Sequence, residues 1–464
     1  MTRALDIWRD WTLRRRIAFV GGVGIVLLAG AALAVYLIAI KRPADVVNPE
    51  ATFIPEPPPK EKPEPKTENW PLYGYDNART RYMRAKGVNP PFAPSVWSFQ
   101  AGKLLEFSPI VVNDVLYFMD KDARMYAMSA GNGKVRWKRR MGSLNASAPA
   151  FAGGRLFGVN LEPGQAFALR ARDGKVLWTR DLPGRSESSP VVRRGRVVFG
   201  VENGDIFALD AKTGNVRWQV STAGEVKGGL ALDSGTLYAG NYAGEVLAIG
   251  LKSGSVKWRT GTQGSSFGRT GRIYSTPAVA FGRVYLGSVD GRVYSFEADS
   301  GELAWSQSTE DWVYAAPAVA DTPNSPPTVY IGSVDQHLYA LDARTGSVRW
   351  RQRIGGPVLG AASVINETVY AAGIGPNVGT YGYRVRTGKK VFEHELGEYN
   401  PVISDGRRLY LTGTSALRAF ERRKKRDRGP ERRQARKRDA GQGGGAQGNR
   451  GRERRGRNGN AGRG

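Results

Sequence analysis

The chain has 464 residues, a formal net charge of +27, 60 glycines, 11 tryptophans and two histidines, His337 and His394. It has no cysteine, which excludes disulfides, a thiol nucleophile, cysteine-ligated metals and a lipid-modified cysteine near the N-terminus. The basic balance favours anionic partners, and it is uneven: between residues 421 and 464, 17 Lys or Arg outnumber 5 Asp or Glu by 12.

Residues 1–16 are a short basic segment with Arg3, Arg9, Arg14, Arg15 and Arg16. Residues 17–40 follow without a charge. At about 1.5 Å per residue this run spans a bilayer core of roughly 30 Å. It exceeds the roughly 7–15 apolar residues of a signal peptide, so a retained transmembrane helix is expected. The basic residues before it outnumber Lys41 and Arg42 after it. That bias places the N-terminus in the cytoplasm and the bulk of the chain outside. Residues 41–69 are rich in proline, glutamate and lysine. They read as a semi-rigid polyproline spacer reaching on the order of 80 Å. Residues 70–93 open with Trp70-Pro-Leu-Tyr-Gly-Tyr-Asp76 and read as an aromatic strap packed on the folded body.

From residue 95 a ladder dominates. Trp97, Trp137, Trp178, Trp218, Trp258, Trp305 and Trp350 recur every 40 to 47 residues, and Phe392 takes the next rung. Such a period signals a repeat fold. The unit around Ser189–Ala223 holds four short apolar runs separated by turns, including Asn203-Gly204 and Thr213-Gly214. Four short strands with tight turns make one antiparallel sheet. Such sheets stacked radially bury their faces and form a β-propeller. Each Trp falls on the fourth, outermost strand. Burying an indole removes about 150–250 Å² from water, worth roughly 4–6 kcal/mol as an upper bound. The ladder is therefore read as structural docking rather than a ligand platform.

Seven complete blades end at the rungs from Trp137 to Phe392. Three strands remain after Phe392, and the strand at 95–100 has none before it. Joined, these make an eighth blade that closes the ring and removes unpaired edges. The expected fold is an all-β, eight-bladed propeller over residues 70–421. It is preceded by one transmembrane helix and followed by a disordered basic tail, 422–464, too poor in apolar residues to fold.

The repeat Ala-x-Asp-x-x-(Thr/Ser)-Gly-x-x-x-Trp, best seen at Ala208–Trp218 and Ala340–Trp350, resembles the tryptophan-docking motif of pyrroloquinoline-quinone-like propellers. Trp70–Asp76 and Thr80-Arg-Tyr82 resemble the opening of such proteins. That family contains quinone-dependent dehydrogenases and also BamB, a non-enzymatic eight-bladed lipoprotein of the outer-membrane barrel-assembly machine. The resemblance implies the fold without choosing between enzyme and scaffold. The enzymes stack their quinone on a disulfide of adjacent cysteines, which this chain cannot form. Calcium needs only oxygen ligands. Asp120, Asp122, Glu162, Glu202, Asp205, Glu245, Asp290 and Asp335 occupy loops between second and third strands, where Asp suits turns. They are read as turn residues. No catalytic residue, metal site or cofactor is expected, and pyrroloquinoline quinone with calcium is the alternative.

Strand alternation divides the loops between two faces. The top loops carry most of these acids. The bottom loops carry Arg193, Arg194, Arg196, Arg407 and Arg408, candidate contacts to anionic lipid or wall polymer. With both ring ends at the bottom, the basic face, the tether and the tail are expected to point the same way. Top-loop insertions offer candidate contacts to envelope proteins: Phe267 in one, and Glu310, Asp311, Trp312 and Tyr314 in another. The tail has no aromatic residue, which weakens a nucleic-acid reading unless the orientation is reversed. The chain is thus expected to be a membrane-anchored, extracytoplasmic, protein-binding scaffold. The alternatives are a quinone-dependent dehydrogenase and a polyanion-binding sensor or adhesin.

Overall fold

The computed structural model describes residues 12–40, 43–55, 69–85, 87–264, 271–376, 378–399 and 401–423. Phe267, most of the basic N-terminal segment, nearly all of the tail and the second half of the proposed spacer lie outside them. The N-terminal element is a helix, Leu13–Ile40, that contains a 19-residue stretch, Ala18–Tyr36, of mean hydropathy 2.4. Its apolar side chains are exposed, Leu28 to 73% and Val26 to 70%. The stretch is long and apolar enough to cross a membrane, and none of it is buried.

The described residues form eight sheets, each containing a four-stranded antiparallel blade. Blade 3 is typical, with strands Val191–Arg193, Arg196–Gly200, Asp205–Asp210 and Val216–Ser221 paired in order. The first strands of successive blades contact one another and line the axis. Blade 8 closes as expected. Trp97–Gln100 pairs with Ala416–Glu421, in the register Trp97 to Ala419 and Gln100 to Ala416.

The tryptophans link one blade to the next. The indole N–H of Trp137 donates to Ala171 O at 3.0 Å, that of Trp218 to Leu251 O at 3.0 Å and that of Trp305 to Ala343 O at 3.0 Å. Trp178, Trp258 and Trp350 repeat the bond on Ala211, Ala298 and Val385. Trp97 donates to Ala130 O at 2.9 Å, so blade 8 grips blade 1. The ring also lies on the glycine of the next blade's last turn. At Gly346, with φ +77°, an added Cβ would stand 2.7 Å from Trp305. Glycine is thus required twice, by its left-handed backbone and by the indole above it.

Phe392 breaks the ladder for a physical reason. The blade after it is blade 8, whose third and fourth strands come from opposite ends of the chain and share no turn. The position that supplies the accepting carbonyl in the other blades is held here by Arg422, which forms an isolated bridge with Phe92. Phe92, 5.6 Å away, and Phe420, at 6.5 Å, pack the apolar ring instead.

Two segments extend the sheets. Tyr82–Met83 runs parallel to the innermost strand of blade 7. Val46–Val47 pairs antiparallel with the outer strand of blade 5, Val46 to Ser306 and Val47 to Trp305. That strand covers Trp305, which is 0% exposed. The proposed spacer is therefore not free over residues 43–55. Asp45 accepts from Arg292 Nη1 at 2.7 Å and from the Ser308 N–H at 2.9 Å. Arg283 donates to Ala51 O and Thr52 O, and Phe53 stacks on Phe281 at 5.2 Å. Charge pairing and β-pairing override the extended preference that proline composition suggests. Asp45 meets the end of that outer strand, which is its top end. The tether thus joins at the top of blade 5, and the expectation of a tether at the bottom is corrected.

Candidate functional site

The strap does more than pack on the body. Trp70 exchanges backbone hydrogen bonds with Val111 on the innermost strand of blade 1. The carbonyls of Pro71, Asn77, Ala78, Thr80 and Arg81 accept from the N–H groups of Phe151, Leu232, Val279, Val319 and Val364 on the innermost strands of blades 2, 4, 5, 6 and 7. Blade 3 is reached by Arg79, whose Nη2 donates to Ser189 O at 2.9 Å and Pro190 O at 3.1 Å. Its Nε donates to Leu230 O at 2.9 Å. The strap thus winds round the inside of the ring, from blade 1 to blade 7. Arg79 and Arg81 are both fully buried there. Burial and the neighbouring Arg81 lower the Arg79 pKa to about 9. The axial channel is stoppered and becomes a cup open at the top.

The cup wall follows from one register position. After each fourth strand the chain returns to the axis to begin the next blade. Four residues before each first strand stand Glu106, Ala146, Glu187, Lys227, Tyr274, Tyr314, Leu359 and Tyr399, in blades 1 to 8. All but Ala146 line a cavity of about 60 Å³, with Tyr73 and Phe107 also at its wall. Sequence reading missed this ring because it followed the loud outer tryptophans. Aligning the repeats on their first strands would have exposed it.

Lys227 Nζ lies 3.2 Å from Glu187, 3.0 Å from Glu202 and 3.6 Å from Glu225. Against the depressing effect of burial, Glu187 and Glu202 hold its ammonium above the usual lysine range. The Tyr274 hydroxyl donates to Glu187 at 2.8 Å. Glu106 is half-buried and, among the described residues, makes no hydrogen bond or ion pair. Burial, then the nearby Glu187 charge, pushes its pKa up. The rings of Tyr274 and Tyr314 meet edge to face at 5.9 Å, and Phe107 meets Tyr73 at 5.3 Å.

The other acids of the second-to-third-strand loops mostly serve turns. Asp120 caps the N–H of Arg124 at 2.9 Å and accepts from Tyr126 at 3.0 Å. Asp290 and Asp335 accept from Tyr294 and Tyr339, each at 2.6 Å. Glu202 instead belongs to the cup.

On the rim, Trp312 is 49% exposed and packs edge-on against Tyr314 at 5.8 Å. Glu310 pairs with Arg351 at 2.8 Å, and Asp311 accepts from the Trp312 N–H at 2.7 Å. The structure therefore brings Glu310, Asp311, Trp312 and Tyr314 together, with Tyr314 reaching the cup. On the bottom face Arg193, Arg194 and Arg407 are exposed. The other two candidates are already engaged. Arg196 donates to Lys252 O on the next blade at 3.2 Å. Arg408 is buried, 3.4 Å from Asp405 and 3.0 Å from Glu421. Both begin the second strand of their blade, where the guanidinium meets a neighbouring carbonyl or acid.

The family model of outer membrane protein assembly factor BamB matches residues 87–225 and 202–428. No curated protein sequence matches the chain. The solved structure of BamB from Moraxella catarrhalis is 18% identical with a TM-score of 0.58, covering 72% of this chain and 98% of that one. A quinohemoprotein alcohol dehydrogenase from Pseudomonas putida HK5 is 14% identical with a TM-score of 0.66, covering 76% and 80%. A europium-containing methanol dehydrogenase is 15% identical with a TM-score of 0.61, covering 76% and 98%. At these identities the likenesses speak for the fold alone. Among the described residues no group of three or more His, Cys, Asp or Glu is placed to hold a metal ion.

Proposed function

Because this chain belongs to the family of outer membrane protein assembly factor BamB, we propose that it is a non-enzymatic, protein-binding scaffold of the cell envelope. In this reading the helix Leu13–Ile40 is retained in the membrane, the N-terminus is cytoplasmic and the propeller is extracytoplasmic. The carrying observation is an open rim above a stoppered axis. Trp312 stands exposed beside Tyr314, Glu310 and Asp311, an aromatic anchor among polar neighbours of the kind that dominates protein contacts.

A pyrroloquinoline quinone with calcium does not fit the residues present. The axial cavity of about 60 Å³ falls well below the roughly 300–1,000 Å³ of pockets that enclose drug-sized ligands. The strap occupies the space beneath, and no disulfide platform exists.

The test is site-specific photocrosslinking from the rim in native envelopes. A crosslinker beside Trp312 should capture a defined protein in stoichiometric yield, and Trp312→Ala should abolish the capture without lowering the melting temperature. Retained capture in Trp312→Ala, or alcohol oxidation after incubation with pyrroloquinoline quinone and calcium, overturns the proposal.

A further inference from the structure

The cup already holds one ammonium and is built for another. Lys227 sits among three carboxylates and 5.5 Å above the Tyr242 ring. It shows within the chain how this wall treats a cation. At the wall of the same cavity, half-buried Glu106 has no hydrogen-bond or ion-pair partner among the described residues. Lys121 is near enough to favour its charged form, but no cation touches the carboxylate, and a half-buried charge gains from a direct partner. Around it stand Phe107, Tyr274, Tyr314 and Tyr399, whose π-faces attract cations. The volume of about 60 Å³ suits a slender head group rather than a fused ring system.

We infer that the axial cup is a binding site for an organic cation, a primary ammonium or guanidinium on a narrow chain, seated between Glu106 and the tyrosines. The inference does not depend on the scaffold reading, because a free amine is titrated without any partner. The cation has two possible sources, a small free amine or the tip of a lysine or arginine side chain on a docking protein. Burial is the first cause of the raised pKa values at Glu106 and Glu187, and it outweighs the nearby Lys121 and Lys227.

The experiment is calorimetric titration of the full-length chain in detergent with n-butylammonium, with neutral n-butanol and with Nα-acetyl-lysine amide. Butylammonium should bind and butanol should not. Glu106→Gln should weaken butylammonium by about tenfold or more, the scale of a desolvated charge contact. It should not lower the melting temperature of the empty protein, because Glu106 has no hydrogen-bond partner to lose among the described residues. Binding of acetyl-lysine amide as tightly as butylammonium assigns the site to a protein side chain, and binding of butylammonium alone assigns it to a free amine. Equal binding of butanol, no binding of either amine, or unchanged affinity in Glu106→Gln overturns the inference. Trp312→Ala, the rim variant, should leave butylammonium binding intact, so failure of the cup and failure of the rim are read separately.

Discussion

The docking of Trp305 on Gly346 makes a prediction that separates two reasons for one glycine. Gly346→Ala puts a side chain at φ +77° and a methyl group 2.7 Å from the indole. The left-handed conformation costs about 1–2 kcal/mol for a non-glycine residue. The overpacking costs about 1–3 kcal/mol more. Trp305→Ala alone should cost about 3–5 kcal/mol, because the ring is fully buried. In the double variant the methyl enters space vacated by the indole, so only the backbone term of Gly346→Ala remains. The two substitutions should therefore be sub-additive by about 1–3 kcal/mol. Urea unfolding of the full-length chain in detergent, followed by the fluorescence of the remaining tryptophans, measures all four corners of the cycle. Additivity within about 0.5 kcal/mol would show that the indole does not dictate the glycine, and the clamp account would fail.

Three further expectations follow from the same contacts. Deleting residues 94–103 removes the fourth strand of blade 8; size-exclusion chromatography should show oligomers or unfolding, and a monomeric folded ring would refute the closure. Asp45→Ala strips Arg292, a side chain only 2% exposed, of its ion pair; limited proteolysis between residues 43 and 55 should speed up, with a stability loss of about 1–3 kcal/mol. Burial, then Arg418, depresses the His394 pKa below the ordinary histidine value, so the unfolded chain takes up its proton first as pH falls. The stability this neutral imidazole contributes is present above that ordinary value and is lost as pH drops through the lower folded value. His394→Asn should flatten this part of the pH profile, and an unchanged slope between about pH 7 and 5 would contradict it.

The outer seam was legible from the chain because each rung pairs a rare residue with a turn that only glycine satisfies, and both recur at a fixed spacing. Blade 8 was legible for the same reason, from Trp97 standing without three strands before it. The cup was not, since its wall shares a position rather than a residue type: Glu, Ala, Glu, Lys, Tyr, Tyr, Leu and Tyr carry no common text. The docking of residues 43–55 was hidden by proline content, which describes a chain alone and not one offered an open sheet edge. Arg196 and Arg408 looked like Arg193 and Arg407 because loop charge says nothing about which guanidinium reaches a neighbouring carbonyl or acid.

The strand at Val46–Val47 gives the proposed membrane attachment two lengths. Docked, only four residues separate Ile40 from Asp45, a reach of at most about 17 Å over five steps, so the proposed attachment would hold blade 5 nearest the lipid. A pull from the helix would act first on Pro43 and Asp45, both held by Arg292, and then peel a two-residue pairing. Once it is unzipped, the chain from Pro43 to Asn69 pays out on the order of 80 Å. The attachment is a reel with a catch, and the catch is the pair Asp45–Arg292.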